Sequence, residues 1–372
     1  MNVLLVEHAT SFGFDGVSPG ILTEGFSMLR LLCRDFSRAG DRVHVALNSS
    51  LGEYGVFLDY DELHLVDGKS RFEALLDSLE GKVDSSYVLA PDHLLAGYVR
   101  GLEDAGLSHM NSSPGAVEVA ADKLKTHKVL VGNGIPTPRQ VNERSFPFIV
   151  KPSSGSGCEN TRLVKSTEEY GSPEFTEGMM CQAYVEGVNA SVILAAAGGE
   201  FKPVCLNEQV ISMSGDGVLS YGGGFTPLDH PLRDESFRLA VTCCEAIPGL
   251  CGLVGVDLVL SERPCVIEVN PRLVTSALGL SRVSGLNMAD LIKGRMPGKT
   301  GFNGVSFYSH IKAFNHVRLD SRSPGDFMGM DELWAPPMRM DKTESLGFAV
   351  VWGKTRGAAL DAYASLCAGD SG

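Results

Sequence analysis

LVGVDLVLSERPCVIEVNPRLVT, residues 253–275, is two apolar runs around a turn signal. Val254 to Leu260 is β-branched and apolar, interrupted by Asp257. Ser261-Glu262-Arg263-Pro264 breaks the run, and Cys265 to Val269 resumes it, interrupted by Glu268. This pattern predicts a β-hairpin. A turn centred on Glu262-Arg263 sets Asp257 directly opposite Glu268, with Asn270 on the face of Glu268. Val254, Val256, Leu258 and Leu260 then face the core, with Cys265, Ile267 and Val269. Two opposed carboxylates repel. A hard cation is their natural neutraliser, and Asp, Glu and an Asn carbonyl supply oxygen ligands. So few protein ligands suit Mg²⁺ shared with substrate phosphates. A solvated hairpin face with two unrelated acids fits the same pattern.

The 372 residues exceed one simple core, so two or three domains are expected. Hydrophobic content of 44% and a mean hydropathy of +0.05 indicate a globular chain. A net charge of −13, with no Lys/Arg-rich run, argues against a nucleic-acid partner. No apolar stretch is long enough to span a bilayer, and the N-terminus reads as a strand rather than a leader. Nine cysteines are scattered without a Cys-x-x-Cys pair. Cys33, Cys205, Cys251 and Cys265 lie inside apolar runs, which suits reduced thiols in a cytoplasmic protein.

From the N-terminus, Asn2 to Val6 reads as a buried strand ending at Glu7 and His8, followed by a Gly-rich loop. Helical spacing runs from Ile21 to Arg38. Strands at 43–47, 63–66 and 86–90 alternate with helices at 71–79 and 92–103, which predicts a parallel α/β layer. Ligands bind such layers at the carboxyl ends of strands. Glu7, His8, Pro91 and Asp92 fall there, although loop-capping polar residues would look the same.

Ser112 to Val131 reads as one helix behind a Ser-Pro start signal. Its Lys123, Lys125 and Lys128 fit a solvated face, and one of them could reach a phosphate. Gly134 to Pro138 breaks the chain. Phe146 to Lys151 is a strand ending in lysine before a Ser/Gly loop, Ser153-Ser154-Gly155-Ser156-Gly157, whose backbone N–H groups could meet phosphate. It lacks the Gly-Lys-Ser/Thr of a Walker A loop, and Gly347 to Thr355 fails the same motif on spacing. Met179 to Ile193 reads as two strands joined through Val185-Glu186-Gly187. The backbone of Gln182, Ala183 and Val185 could read an adenine edge, and Glu186 and Asn189 could take ribose hydroxyls. Leu206 to Gln209 ends a further strand, and Ser214 to Thr226 reads as a Gly-rich loop. Arg233 opens a helix. Arg272, just past the hairpin, is placed to neutralise a phosphoryl group or grip a carboxylate. Ser321 to Met340 reads as a loop, 347–352 as a strand and 356–366 as a helix.

The order of these pieces resembles the ATP-grasp ligases across residues 1 to about 295. Asp257, Glu268-Val-Asn270-Pro-Arg272, Lys151 with Ser153 to Gly157, and Asp122-Lys123 carry the resemblance. Glu24-Gly25-Phe26-Ser27-Met28, Ala90-Pro91-Asp92, Leu206 to Gln209, His230 to Glu235 and Gly252 to Asp257 are similar to the archaeal branch that joins tyramine to glutamate in methanofuran biosynthesis. The tail beyond residue 300 is longer than that branch requires.

The resemblance implies a multidomain α/β (α+β) chain with an N-terminal parallel α/β pre-ATP-grasp domain at 1–110. An ATP-grasp domain follows at 111–300, with its lid at about 140–190 and its metal-binding part at about 190–300. A C-terminal extension occupies 301–372. ATP and two Mg²⁺ or Mn²⁺ ions are the implied cofactors. Lys123 and Lys151 would hold the α- and β-phosphates, and Ser153 to Gly157 would close over them. Gln182, Ala183, Val185, Glu186 and Asn189 would take the nucleoside. Asp257, Glu268 and Asn270 would be the metal ligands. Arg272, Arg233 and Lys151 would serve catalysis, and Glu7, His8 and Glu24 would meet substrate ammonium groups. The implied reaction joins a small carboxylate to a small amine through an acylphosphate. A different amino-acid ligase, a nucleotide-binding protein without turnover, and a homodimer remain open alternatives.

Overall fold

The computed structural model describes residues 1–67, 69–141, 145–155, 157–170, 178–296, 298, 300–312, 327, 329–339 and 345–368. The N-terminal layer runs β1 (Asn2–Glu7), α1 (Pro19–Arg38), β2 (Arg42–Asn48), β3 (Glu62–Val66), α2 (Phe72–Ser78), β4 (Ser85–Leu89) and α3 (Asp92–Asp104). Its strands are parallel in the order β3-β2-β1-β4, as alternating strands and helices require. Glu7 and Asp92 therefore stand at one end of this sheet.

The stretch expected to be a single helix is two, α4 (Pro114–Ala121) and α5 (Lys123–Gly132). Asp122 is the reason. Its backbone is extended, and its side chain accepts hydrogen bonds from the N–H groups of Leu124 and Lys125, so it caps a new helix rather than continuing the old one.

A small antiparallel sheet follows: β5 (Phe148–Pro152), β6 (Arg162–Val164), the single turn α6 (Thr167–Tyr170) and β7 (Met179–Ala183), in the order β6-β5-β7. The chain then crosses into a larger sheet with β8 (Val188–Ala197), β9 (Glu200–Met213) and β10 (Leu219–Thr226). Next come α7 (Arg233–Glu245), β11 (Gly252–Leu260), β12 (Pro264–Asn270), α8 (Ser276–Ser284) and α9 (Met288–Ile292). The end of the chain supplies β13 (Val305–Lys312), β14 (Leu333–Arg339), β15 (Ser345–Gly353) and α10 (Arg356–Ala368). Among the described residues this sheet has eight strands, in the order β12-β11-β8-β9-β10-β13-β15-β14. No described helix is long and apolar enough to cross a membrane.

Two stretches expected to be loops contain strands, and one strand runs further than expected. Leu206 to Gln209 lies inside β9 rather than at its end, and β10 occupies the Gly-rich stretch. Glycine is needed there because neighbouring strands come close. A Cβ on Gly223, whose φ is +103°, would lie 2.0 Å from the Tyr308 carbonyl oxygen of β13. Gly223→Ala should therefore lower stability by about 3 kcal/mol, read as a fall in the denaturant midpoint. An unchanged midpoint would contradict this approach of β10 to β13. In the other case, β14 sits within the stretch read as a Pro- and Met-rich loop. Pro336 and Pro337 are tolerated because β14 is the sheet's outer strand and its register shifts there.

The hairpin of β11 and β12 forms, with one internal adjustment. Leu260 pairs with Pro264 and Leu258 with Val266, so the turn centres on Glu262 alone. A bulge at Ile267 then moves the register by one, and Asp257 pairs with Glu268 as the sequence predicts. Because of the bulge, Val266 and Val269 are buried on the core side, whereas Cys265 and Ile267 are half-buried and do not face it as expected. Val254, Val256, Leu258 and Leu260 pack with Ala240, Cys243 and Cys244 of α7. Alternation sends Asp257 to the opposite face. A separate core joins the inner face of the N-terminal layer to β13, β14 and β15 through Leu22, Phe26, Trp334 and Phe348. In it Arg30 of α1 donates to the Leu333 carbonyl at 2.9 Å, and the Arg34 guanidinium lies 4.8 Å from the Trp334 ring centre.

Candidate active site

Three backbone devices assemble a compact group of charges. The hairpin sets Asp257 beside Glu268 and Gly255 opposite Asn270. Asn270 donates through Nδ2 to Asp257 Oδ2 at 3.3 Å. The helix break at Asp122 delivers Lys123, whose backbone N–H donates to the Ser153 carbonyl at 2.8 Å. Lys123 Nζ lies 2.6 Å from the Gly155 carbonyl and 3.3 Å from Glu268 Oε2. Lys151 projects from β5 and is buried. Lys123, Lys151, Asp257, Glu268 and Asn270 are thus brought together. Ser153, Ser154, Gly155 and Gly157 lie in the loop beside Lys123, and Ser156 falls outside the described residues.

The electrostatics follow from this crowding. Burial pushes the Lys151 ammonium below its ordinary value, and the charge of Lys123 adds to that, against the pull of Glu268. Burial raises the Asp257 carboxyl to about 7, helped by the charge of Glu268. Burial also works to raise Glu268, but Lys123, Lys151 and then Arg272 outweigh it and hold that carboxyl low. Buried Lys151 and half-buried Lys123 share the Glu268 carboxylate, which leaves positive charge that an anion would answer. The oxygens of Asp257, Glu268 and the Asn270 amide are the donor chemistry of a Mg²⁺ site, so the residues present fit that ion.

A second group lies across the junction with the N-terminal layer. Arg272 Nε donates to Asp92 Oδ1 at 2.6 Å, and both side chains are largely buried. Glu24 on α1 adds to the field at Arg272 and accepts a hydrogen bond from Thr275. Glu7 accepts from the N–H groups of Ala9 and Thr10 at 3.1 and 2.8 Å. Burial raises it to about 7, although those hydrogen bonds and Arg272 pull the other way. Three acids of the N-terminal layer thus surround one arginine from beyond the hairpin. His8 stands beside Glu7, with Nδ1 2.8 Å from the Tyr98 hydroxyl.

Glu7 supplies a clear pH dependence. Between pH 4.5 and 7 the folded state holds this proton and the unfolded state releases it, so stability falls as pH rises. Glu7→Gln has no such proton. Whatever fixed loss its hydrogen bonds suffer, its stability relative to the parent should climb by about 3 kcal/mol from pH 4.5 to above 7. Denaturant titrations across that range check this, and a pH-independent difference would refute it.

Other expected residues lie apart from these groups. Arg233 is exposed at the start of α7, 3.2 Å from Asp234 and stacked on Phe237. Gln182 is buried, and its side chain donates to the Pro138 carbonyl at 3.2 Å. The Ala183 N–H donates to the Arg139 carbonyl at 2.9 Å. Val185 and exposed Glu186 lie on the link from β7 to β8. Asn189 is two positions along β8 from Ser191, which pairs with Asp257. The sequence reading missed Gln209, whose side chain hydrogen-bonds Asp257. Ending the strand at that residue hid its alternation with Asn207 on one face of β9. Asp92 was legible as a strand-end residue, but its arginine partner was not.

Comparison with known proteins agrees with this geometry. Residues 120–276 match the profile of the ATP-grasp domain. Over 281 residues the chain is 28% identical to tyramine–L-glutamate ligase of Methanocaldococcus fervens, covering 75% of this chain and 89% of that one. The fold is shared with an L-amino acid ligase of Bacillus licheniformis, with a TM-score of 0.70 at 15% identity over 98% of this chain and 96% of that one. It is also shared with the biotin carboxylase domain of Hydrogenobacter thermophilus 2-oxoglutarate carboxylase, whose structure contains MgADP. That TM-score is 0.71 at 16% identity, over 98% of this chain and 88% of that one. The chain thus carries an ATP-grasp domain at residues 120–276.

Proposed function

We propose that this protein is an ATP-dependent carboxylate–amine ligase, with glutamate and tyramine as its substrates and γ-glutamyltyramine as its product. The observation that carries the reading is the concentration of Lys123, Lys151 and Arg272 around Asp257, Glu268 and Asn270. Phosphoryl transfer is mostly positioning and charge stabilisation, and this group offers both.

A carboxylate oxygen of the acid attacks the γ-phosphorus of ATP, and ADP leaves. The amine nitrogen then attacks the acyl carbon, phosphate leaves and the nitrogen loses a proton. Lys123 and Lys151 hold the α- and β-phosphates, and the loop at 153–157 excludes water above them. Asp257, Glu268 and Asn270 would hold two Mg²⁺ or Mn²⁺ ions, which neutralise phosphate charge when bound. Arg272 steadies the transferred group, with Asp92 fixing its guanidinium. The base would lie against the link at 182–185, with Glu186 and Asn189 near the ribose. Glu7, His8 and Glu24 meet ammonium groups. In this scheme 1–110, 111–300 and 301–372 are the three units of the chain.

The choice of glutamate and tyramine is supported by the Methanocaldococcus fervens relative, matched over most of its length. With ATP, Mg²⁺, glutamate and tyramine, the protein should release ADP and phosphate and yield the amide by mass. Amine-dependent ADP release with other acid–amine pairs only would discard this substrate choice. No ADP release with any pair would discard the ligase reading itself.

A further inference from the structure

The outer edge of the N-terminal sheet carries a cluster that the ligase reading does not use. β3 is the edge strand, paired in parallel with β2. His44 is the register partner of Glu62, and alternation puts His64 on the same face. His44 Nδ1 lies 3.2 Å from His64 Nε2 and 3.6 Å from Glu62 Oε2. Among the described residues, this is where three His, Cys, Asp or Glu side chains bring ligand atoms together, all within 4.8 Å of one another.

These separations have a chemical meaning. Zinc–nitrogen and zinc–carboxylate bonds run about 2.0–2.2 Å, so two ligands of a tetrahedral ion sit about 3.3 Å apart. Both measured separations to His44 bracket that value. Two imidazoles and one carboxylate suit a borderline divalent transition metal, whereas Mg²⁺ prefers an all-oxygen set. The cluster also has the supports of a metal site. Arg42 donates to Glu62 Oε1 at 2.8 Å, which orients the carboxylate with Oε2 toward His44. His44 is almost fully buried, whereas Glu62 and His64 are half-exposed, which gives an ion a way in. Lys82 adds positive charge nearby, which the Glu62 carboxylate counters.

We propose that His44, Glu62 and His64 form a binding site for one zinc-class divalent ion, which fastens the edge strand β3 to β2. Water completes the coordination on the exposed side. The site is separate from the nucleotide group and does not depend on its assignment.

The test uses the full-length protein, stripped with chelator and then saturated with Mg²⁺ and ATP. Zinc chloride is titrated in by calorimetry, and melting curves are recorded with and without zinc. The parent should bind one equivalent and melt higher with zinc. His64→Ala and Glu62→Gln remove ligands rather than outer partners. Each should weaken binding at least about 100-fold and abolish the zinc-dependent rise in melting temperature, while metal-free melting stays near that of the parent. If one variant fails to fold, the other carries the test. Anomalous diffraction at the zinc edge should place the ion between His44 and Glu62. Equal zinc affinity in parent and variants would overturn the proposal, as would an anomalous peak at the cysteines or at Asp257.

Discussion

Glu268→Gln should lower ATP-dependent turnover about 1,000-fold, the upper end of what loss of one electrostatic contact costs at a reacting centre. Two losses combine at this position. The substitution removes one of the two opposed carboxylates proposed to hold the metals. It also removes the carboxylate that Lys123 and Lys151 share, whose charge supports the buried Lys151 ammonium against desolvation and the charge of Lys123. The variant should therefore bind ATP more weakly and need more Mg²⁺ for its residual activity, by about 10- to 100-fold. ADP release measured against Mg²⁺ concentration gives both quantities. Turnover within tenfold of the parent, at the parent's Mg²⁺ requirement, would remove this hairpin from the chemistry.

Arg272→Met should lower stability by about 3–5 kcal/mol, the cost of removing one member of a buried ion pair and leaving the other uncompensated. Asp92 is already pushed upward by burial, and Arg272 is the first influence opposing that shift. Without the guanidinium, Asp92 would keep only the weaker influence of Lys123 against its burial, and Glu7 would lose the charge that opposes its own. The size of the effect can be separated from simple loss of packing. Asp92→Asn in the Arg272→Met background should recover part of the stability, because a neutral amide does not need the missing charge. Denaturant midpoints of the two single variants and the double variant form the cycle. Additive losses would mean that the pair does not hold the junction.

The two halves of the site differed in how openly the sequence declared them. Asp257 and Glu268 are eleven positions apart around a turn, and period-two alternation was enough to pair them. The pairing came out right through two departures that cancel, since the tighter turn at Glu262 and the bulge at Ile267 shift the register in opposite senses. The cost shows at Cys265 and Ile267, which the sequence placed in the core. The meeting of Asp92 and Arg272 spans 180 residues and depends on how two sheets dock, which no local pattern encodes. β10 was hidden for another reason. Glycine weakens any strand pattern, and the reason for it here, the Tyr308 backbone, lies on a strand more than 80 positions later. At Asp122 the capping chemistry was visible, but apolar spacing on both sides favoured one continuous helix.

The described residues beyond 304 are woven into the molecule rather than hung on it. They supply β13, β15 and β14 to the large sheet and cover α1. A chain ended near residue 300 would leave the backbone donors and acceptors of Gly224 to Thr226 without a neighbour. Such an open rim is a template for self-association, so the shortened protein should accumulate as insoluble material instead of as a smaller working enzyme.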